Sequence, residues 1–237
     1  INQDFGFSVA YNFSVIKNKM TELNGVDYIG LSSSELHGRN FDQETSRSAV
    51  GQPIGSFFVY EADGLFQSDA EIQNYKNDRG ELLQPNAKPG DIRFKDLNGD
   101  GVINSDDRDF KGSPLPDCSM GLTLGFNYKN FDISAFFQGI FGNEVYNLTN
   151  YLGEFYNQAQ YNKNSTILDA WRPDNTDTDI PRVTLDDPNN NIRPSTYYIH
   201  NASFVRLKNL KVGYTLPDKV ASKLKLKRTY IYLQGQN

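Results

Sequence analysis

"MGLTLGFNYKNFDISAFFQG" (residues 120–139) decides the fold of this chain. Met120, Leu122, Leu124, Phe126 and Tyr128 fall on every second position, with Gly121, Thr123, Gly125 and Asn127 between them. Successive side chains of a strand point to opposite faces, so this period of two predicts a strand with one apolar face and one small, polar face. Lys129-Asn130 reads as a tight turn, after which Phe131, Ile133, Ala135 and Phe137 resume the apolar set. The stretch is a β-hairpin whose strands are each about nine or ten residues long.

The same alternation recurs on either side. In "FGFSVAYNFSVIK" (5–17) Phe5, Phe7, Val9, Tyr11, Phe13 and Val15 share a face opposite Gly6, Ser8, Ala10, Asn12 and Ser14. In "SFVRLKNLKVGYTLP" (203–217) Leu210, Val212, Tyr214 and Leu216 do so. "RTYIYLQGQN" (228–237) follows the connector "DKVASKLKLK" (218–227), where one helical turn is expected. Strands are therefore expected near 5–16, 119–128, 131–140, 203–216 and 228–237, each antiparallel to the next. Two long connections, 18–118 and 141–200, leave one end of this sheet, and two short ones close the other. "GQPIGSFFVYEADGLF" (51–66) is also strand-like, but a further spanning strand there would break the parity, so it is placed within the first long connection.

Alternation alone fits two architectures: a soluble sandwich with one face in its core, or a barrel with one face in lipid. Three features favour lipid. The strands match the ~9–11 residues that cross a bilayer at a tilt. Tyr128, Phe131 and Tyr214 stand near strand ends, where an interfacial girdle belongs. The long connections share one side, as extracellular loops of outer-membrane barrels do. The expected fold is all-β, an antiparallel sheet forming part of a large transmembrane β-barrel with long extracellular loops. The alternative is a soluble, secreted β-sandwich that binds carbohydrate or protein and carries a calcium-stabilised loop.

Composition sets the outer bounds. The 237 residues are 13% aromatic and carry a net charge of −5, which gives nucleic acid no reason to bind. A single cysteine, Cys118, excludes an internal disulfide and a cysteine-rich zinc site. No stretch approaches the ~18–20 apolar residues of a spanning helix. The chain opens on a strand pattern and stops within another, so a piece of a longer protein is expected.

One motif carries chemistry. "DLNGDGVINSDD" (96–107) has the form of an EF-hand calcium loop without flanking helices. Side-chain oxygens of Asp96, Asn98 and Asp100, the Val102 carbonyl, Asn104 through water and Asp107 at the twelfth position form an oxygen-only set suited to Ca2+. With no helix pair to open, the expected role is a clip that stiffens a long loop. The competing reading is a solvated Asx-Gly turn that binds nothing.

Five segments together resemble the SusC/RagA-type TonB-dependent outer-membrane transporters: "VGQPIGSFFVYEADGLFQSDAEI", "PGDIRFKDLNGDGVINSDDR", "FFQGIFGNEVYN", "NTDTDIPRV" and "ASFVRLKNLKVGYTLP". They stand in that family's order and cover nearly the whole chain. The resemblance implies a barrel of about 22 strands, closed by an N-terminal plug that this chain does not contain. It also implies import of glycans or peptides, a SusD-type lipoprotein over the extracellular face, and contact with TonB through a segment outside these residues.

Tyr151, Phe155, Tyr156, Tyr161, Trp171, Tyr197 and Tyr198, all in the second long connection, are candidate substrate or partner contacts, since ring faces stack on sugars and peptide side chains. Packing the loops against one another is the other use of such residues. No enzyme is expected. His37 and His200 are the only histidines, and neither sits in a metal spacing. The carboxylates cluster where calcium and solvation account for them. Four N-x-S/T sequons occur, at Asn12, Asn147, Asn164 and Asn201, and Asn12 lies inside a strand pattern.

Overall fold

The computed structural model describes residues 4–32, 44–154 and 162–237. It is mostly antiparallel β with few helices. Strand β1 (Phe5–Val15) is followed by β2 (Tyr28–Ser32), β3 (Glu44–Ala49), β4 (Ser56–Tyr60) and β5 (Ala62–Leu65). Helix α1 (Asp69–Asn74) precedes β6 (Ile92–Phe94) and β7 (Arg108–Phe110). Next come β8 (Cys118–Tyr128), β9 (Phe131–Phe141), β10 (Glu144–Tyr146) and α2 (Leu148–Glu154). The chain ends with β11 (Ile199–Asn201), β12 (Phe204–Thr215), α3 (Asp218–Lys223) and β13 (Tyr230–Gln236). Two compact units result: Ile1–Lys17, Pro116–Asn143 and Ala202–Asn237 form the first, Asn18–Leu115 and Glu144–Asn201 the second.

The first unit is a five-stranded antiparallel sheet in the order β1-β8-β9-β12-β13. Its register puts the alternating apolar residues in line: Val9 faces Leu124, Leu124 faces Ala135, and Ala135 faces Leu210. At the short-turn end Phe5, Tyr128, Phe131 and Tyr214 form one continuous row across four strands. The Phe131 and Tyr214 rings lie 4.5 Å apart. Lys129 takes a positive φ of 53° to make the turn, and the Asn130 side chain donates to the Thr215 carbonyl at 2.7 Å.

Among the described residues of this unit, none covers the apolar face. Phe7 is 56% exposed and Leu233 82%, and among the unit's described residues the buried apolar side chain is Ala221. The opposite face is small and polar on β1 and β8 and carries Phe136, Tyr230 and Tyr232 on β9 and β13. There Tyr230 lies across Gly213, where a Cβ would collide with the ring, and its hydroxyl donates to Asp132 at 2.7 Å. The alternation in 203–217 slips, from Val205 and Leu207 to Leu210 and Val212, and the structure places a bulge between Leu207 and Asn209. One extra residue there keeps Leu207 and Leu210 on the same face. The first half of this strand therefore carries its apolar residues at odd positions, which the sequence reading did not use.

The second unit contains the core. Sheet β2-β3-β4-β7 and the pairs β5-β6 and β10-β11 surround a cluster of Leu65, Ile92, Phe94, Tyr151, Trp171, Ile192 and Tyr198. The strand-like stretch 51–66 forms β4 and β5 here. Burial of rings and aliphatics accounts for the packing, but much of the backbone is satisfied by side chains. Gln84 donates to the Ile92 carbonyl at 3.0 Å and accepts from the Phe94 N–H at 2.8 Å. Asn191 accepts from the Ile92 N–H at 2.8 Å and donates to the fully buried Asp91 at 2.9 Å, which also pairs with Arg182. Segments a hundred residues apart are joined in this way by amides rather than by a strand ladder.

Among the described residues, no helix is long and apolar enough to cross a membrane, which leaves crossing by strands open.

Candidate functional site

Residues 96–107 wind into a tight loop between β6 and β7, and its polar side chains turn onto its own backbone. Asp96 accepts from Gly99 and Gly101 N–H groups at 2.7 and 2.8 Å. Asn98 accepts from Asp100 N–H, and Asp100 from Val102 N–H, each at 2.8 Å. Gly101 has φ +88°, a conformation that suits glycine and lets the chain reverse. Asn104 and Asp107 cap a single 3-10 turn reciprocally.

Asp107 is fully buried and takes N–H groups from Leu97 and Asn104 at 2.8 Å each. The Val102 N–H, then the Asn98 side chain, hold the Asp100 carboxyl below its ordinary pKa. Among the described residues, none of the three carboxylates forms an ion pair with lysine or arginine. Nor, among those residues, do three His, Cys, Asp or Glu side chains converge closely enough to hold a metal. Ile103, between Val102 and Asn104, packs against the core cluster and anchors the loop. A groove of about 490 Å³ flanks the loop, with Asp96 and Asp100 on one side and Tyr75, Lys76 and Arg79 on the other.

The aromatic candidates divide. Tyr151, Trp171 and Tyr198 are buried in the core, so their faces pack the loops together and are not offered to a ligand by this chain. Of the two uses expected for such rings, packing the loops is the one that burial shows for these three. Their neighbours are Leu65, Phe94 and Ile192, against which flat rings remove more apolar area than a solvent-facing position would. Trp171 also donates to Gln67 at 2.8 Å and lies where any Cβ on Gly90 would collide with it. Tyr197 donates to Glu154 at 2.6 Å, and burial, then that hydrogen bond, raises its pKa. It lines a cavity of about 300 Å³ with Leu65, Asp179, Thr196 and His200. Phe155, Tyr156 and Tyr161, like His37, lie outside the described residues.

With this geometry in hand, likeness to known proteins decides the family. No family model matches the chain. TonB-dependent receptor P3 of Formosa agariphila is 38% identical over 236 residues, covering 100% of this chain and 22% of the relative. SusC of Bacteroides thetaiotaomicron, also named a TonB-dependent receptor, is 28% identical over 222 residues, covering 92% of this chain and 19% of the relative. A solved structure of the RagAB peptide transporter superposes with a TM-score of 0.70 at 26% identity, covering 100% of this chain and 24% of that one. The chain belongs to the SusC/RagA type of TonB-dependent receptors.

Such receptors are outer-membrane proteins, and this receptor chain is one, which overturns the soluble secreted sandwich that alternation alone left open. The chain spans about a fifth of the length of the relatives named above. A second RagAB structure, of the peptide importer in its open-open state, has the same fold at TM-score 0.71.

Within the SusC/RagA-type fold, two clusters escaped sequence reasoning. One is the amide network of Gln84, Asn189 and Asn191, which the sequence presents as the loop-like "DDPNNN" (186–191). The other is Arg47, held by Glu44 in two 2.7 Å bonds and lying 4.0 and 3.7 Å from the Tyr28 and Phe58 ring centroids. Its signal was the pair Glu44 and Arg47 three residues apart on a strand, which period-two reading separates onto opposite faces. Local irregularity brings them together: the β2-β3 register shifts between Leu31 and Ser32, opposite this segment.

Proposed function

We propose that this receptor segment is a stretch of wall in a closed barrel of about 22 strands, with both long connections on the extracellular side. In this reading the whole receptor imports glycan or peptide nutrients, together with a SusD-type surface lipoprotein and driven through TonB. The observation that carries it is the uncovered apolar face of the five-stranded sheet, bounded at one end by the row Phe5, Tyr128, Phe131 and Tyr214. The 11-residue β1 and β8 extend roughly 33 Å at about 3.3 Å per residue, and a tilt near 40° reduces this to about 25 Å, the height of an outer-membrane apolar band. That match supports lipid on one face and an aqueous lumen on the other.

The relatives include a peptide transporter and SusC, so substrate class is a question for experiment. A strain lacking the intact receptor gene is grown on a panel of glycans and peptides, and tagged receptor is isolated from membranes. Loss of growth on one class, with a surface lipoprotein in the isolate, is expected. Unimpaired growth on all, with no lipoprotein retained, would end the proposal.

The loop 96–107 is further proposed to take Ca2+ as a structural clip. The donor chemistry supports the ion, since donors are all oxygen and a carboxylate oxygen that accepts one N–H keeps a second lone pair; binding would draw the carboxylates closer together than they lie in this structure. Asp96, Asn98, Asp100, the Val102 carbonyl, Asn104 through water and Asp107 would hold it. The ion would offset repulsion among carboxylates that no cation of the described chain pairs with. Tyr197, at the rim of its small cavity, stays a candidate contact for substrate or partner.

A further inference from the structure

The two short connections differ. Lys129-Asn130 is a bare turn, whereas 217–229 is an outward-facing cluster of opposite charge to the rest of the chain. Between Pro217 and Thr229 stand Lys219, Lys223, Lys225, Lys227 and Arg228 against one carboxylate, Asp218, a local net charge of +4 in a chain of net charge −5. All five cations are exposed, and among the described residues none forms an ion pair. Interleaved with them are Val220, Leu224 and Leu226, also exposed. The backbone holds this presentation: α3 ends with Leu224 and Leu226 N–H groups both donating to the Ala221 carbonyl, Ala221 itself is buried, and Lys225 takes φ +58°.

Position gives the cluster meaning. The Leu216 N–H donates to the Thr229 carbonyl at 2.8 Å, so the connector begins two residues beyond Tyr214, a member of the aromatic row. Aromatic rings mark the level of lipid headgroups, and cations immediately beyond them meet phosphates. Apolar residues between the cations reach back toward acyl chains, as in an interfacial helix. Free anions would give the exposed leucines no place.

We propose that the 217–229 connector is an anchor for anionic phospholipid headgroups of the periplasmic leaflet. The inference rests on the barrel reading above, which sets the membrane level and the side.

The test uses the intact receptor purified in a neutral detergent. Retained lipid is measured by native mass spectrometry during titration with phosphatidylglycerol or phosphatidylcholine. One variant carries K219Q, K223Q, K225Q, K227Q and R228Q; a second carries arginine at the four lysines. Heat-modifiable migration establishes that each barrel is folded. At least tenfold weaker phosphatidylglycerol binding is expected in the glutamine variant, with phosphatidylcholine unchanged, the arginine variant like wild type, and the difference shrinking with salt. Equal phosphatidylglycerol binding by wild type and the glutamine variant would overturn the anchor, as would an equal loss in the arginine variant. Unchanged lipid binding with lost sedimentation on peptidoglycan sacculi would overturn it in favour of that polymer. A receptor that leaves membranes without detergent would sink the barrel reading instead. A detergent-requiring receptor without lipid preference would sink only the anchor.

Discussion

Arginine at Leu124 tests the lipid-facing sheet directly. Leu124 lies on the apolar face between Val9 and Ala135, four positions from Tyr128 and six from Cys118, near the middle of the 11-residue β8. On the lipid face of an outer-membrane barrel, arginine costs about 2–4 kcal/mol at the midplane and about 0–1 near the interface. Leu124→Arg should therefore shift the folding equilibrium by roughly thirty- to a thousandfold, whereas Tyr128→Arg, in the aromatic row, should shift it by less than about fivefold. The assay is urea unfolding of the intact receptor in phospholipid vesicles, read by heat-modifiable migration, with folding and unfolding limbs brought to coincidence. The diagnostic is the gradient rather than either value. Equal penalties at the two positions would refute the reasoning, because a face sealed under protein has no depth scale set by lipid.

Four further outcomes follow from the second unit and the sheet edges. Asn191→Ala strands the Ile92 N–H and leaves Asp91 Oδ1 with Arg182 alone, a loss of about 2 kcal/mol, so hydrogen exchange in 84–94 should accelerate about thirtyfold; unchanged protection would show that the network does not hold this segment. The Arg47 hydrogen bonds hold Glu44, and the Lys111 and Lys95 bonds hold Glu61, below the usual carboxyl range. Their stabilisation is thus present above the unfolded carboxyl pKa and lost as pH falls through the lowered folded values, so protection of 44–61, corrected for intrinsic exchange, should collapse below roughly pH 4; a flat profile would contradict it. Calcium titration of the intact receptor should show a site of about millimolar affinity or better that disappears in an Asp96→Ala, Asp100→Ala variant, and no heat of binding at that concentration would remove the clip. The 237-residue chain alone, with β1 and β13 as open edges beside an uncovered apolar face, should aggregate without detergent; a soluble cooperative monomer would count against the barrel.

Legibility in the sequence followed the reach of the interactions. The first unit was readable because its signal is local: alternation in 5–15, 118–128 and 131–141 is itself the sheet, and short turns fix the pairing of β8 with β9 and of β12 with β13. The bulge at 207–209 was hidden because two alternations of opposite phase average into a weaker one. In the second unit the relevant contacts join residues a hundred positions apart, and no periodicity records them. "NNN" (189–191) reads as loop because asparagine favours turns; that two of the three are buried partners of Gln84, Ile92 and Asp91 depends on packing that sequence does not display. Which aromatic residues pack and which line a cavity was hidden for a related reason. Tyr198 and Tyr197 are neighbours of one type, yet one ring is sealed in the core and the other edges a cavity.

The two units put the same kinds of side chain to opposite uses. In the second, Phe94 and Val59 are fully buried, and the polar residues beside them, Gln84, Asp91 and Asn191, turn inward to satisfy backbone that no strand neighbour reaches. In the first, Phe7 and Leu233 face outward, and Gly6, Ser8 and Thr123 take the other side, where small size rather than hydrogen bonding is what alternates with them. Within the sheet its backbone is satisfied by neighbouring strands, and side-chain bonds to backbone fall at the turns, as from Asn130 to Thr215. That division is what a medium without water demands of a sheet, and a loop assembly in water does not require it. On the second face small residues line β1 and β8, while Asp132, Lys211 and Tyr230 occupy it by β9, β12 and β13. The apolar face is accordingly the feature on which the functional reading stands, and the loops, however rich in ligand-like groups, are secondary to it.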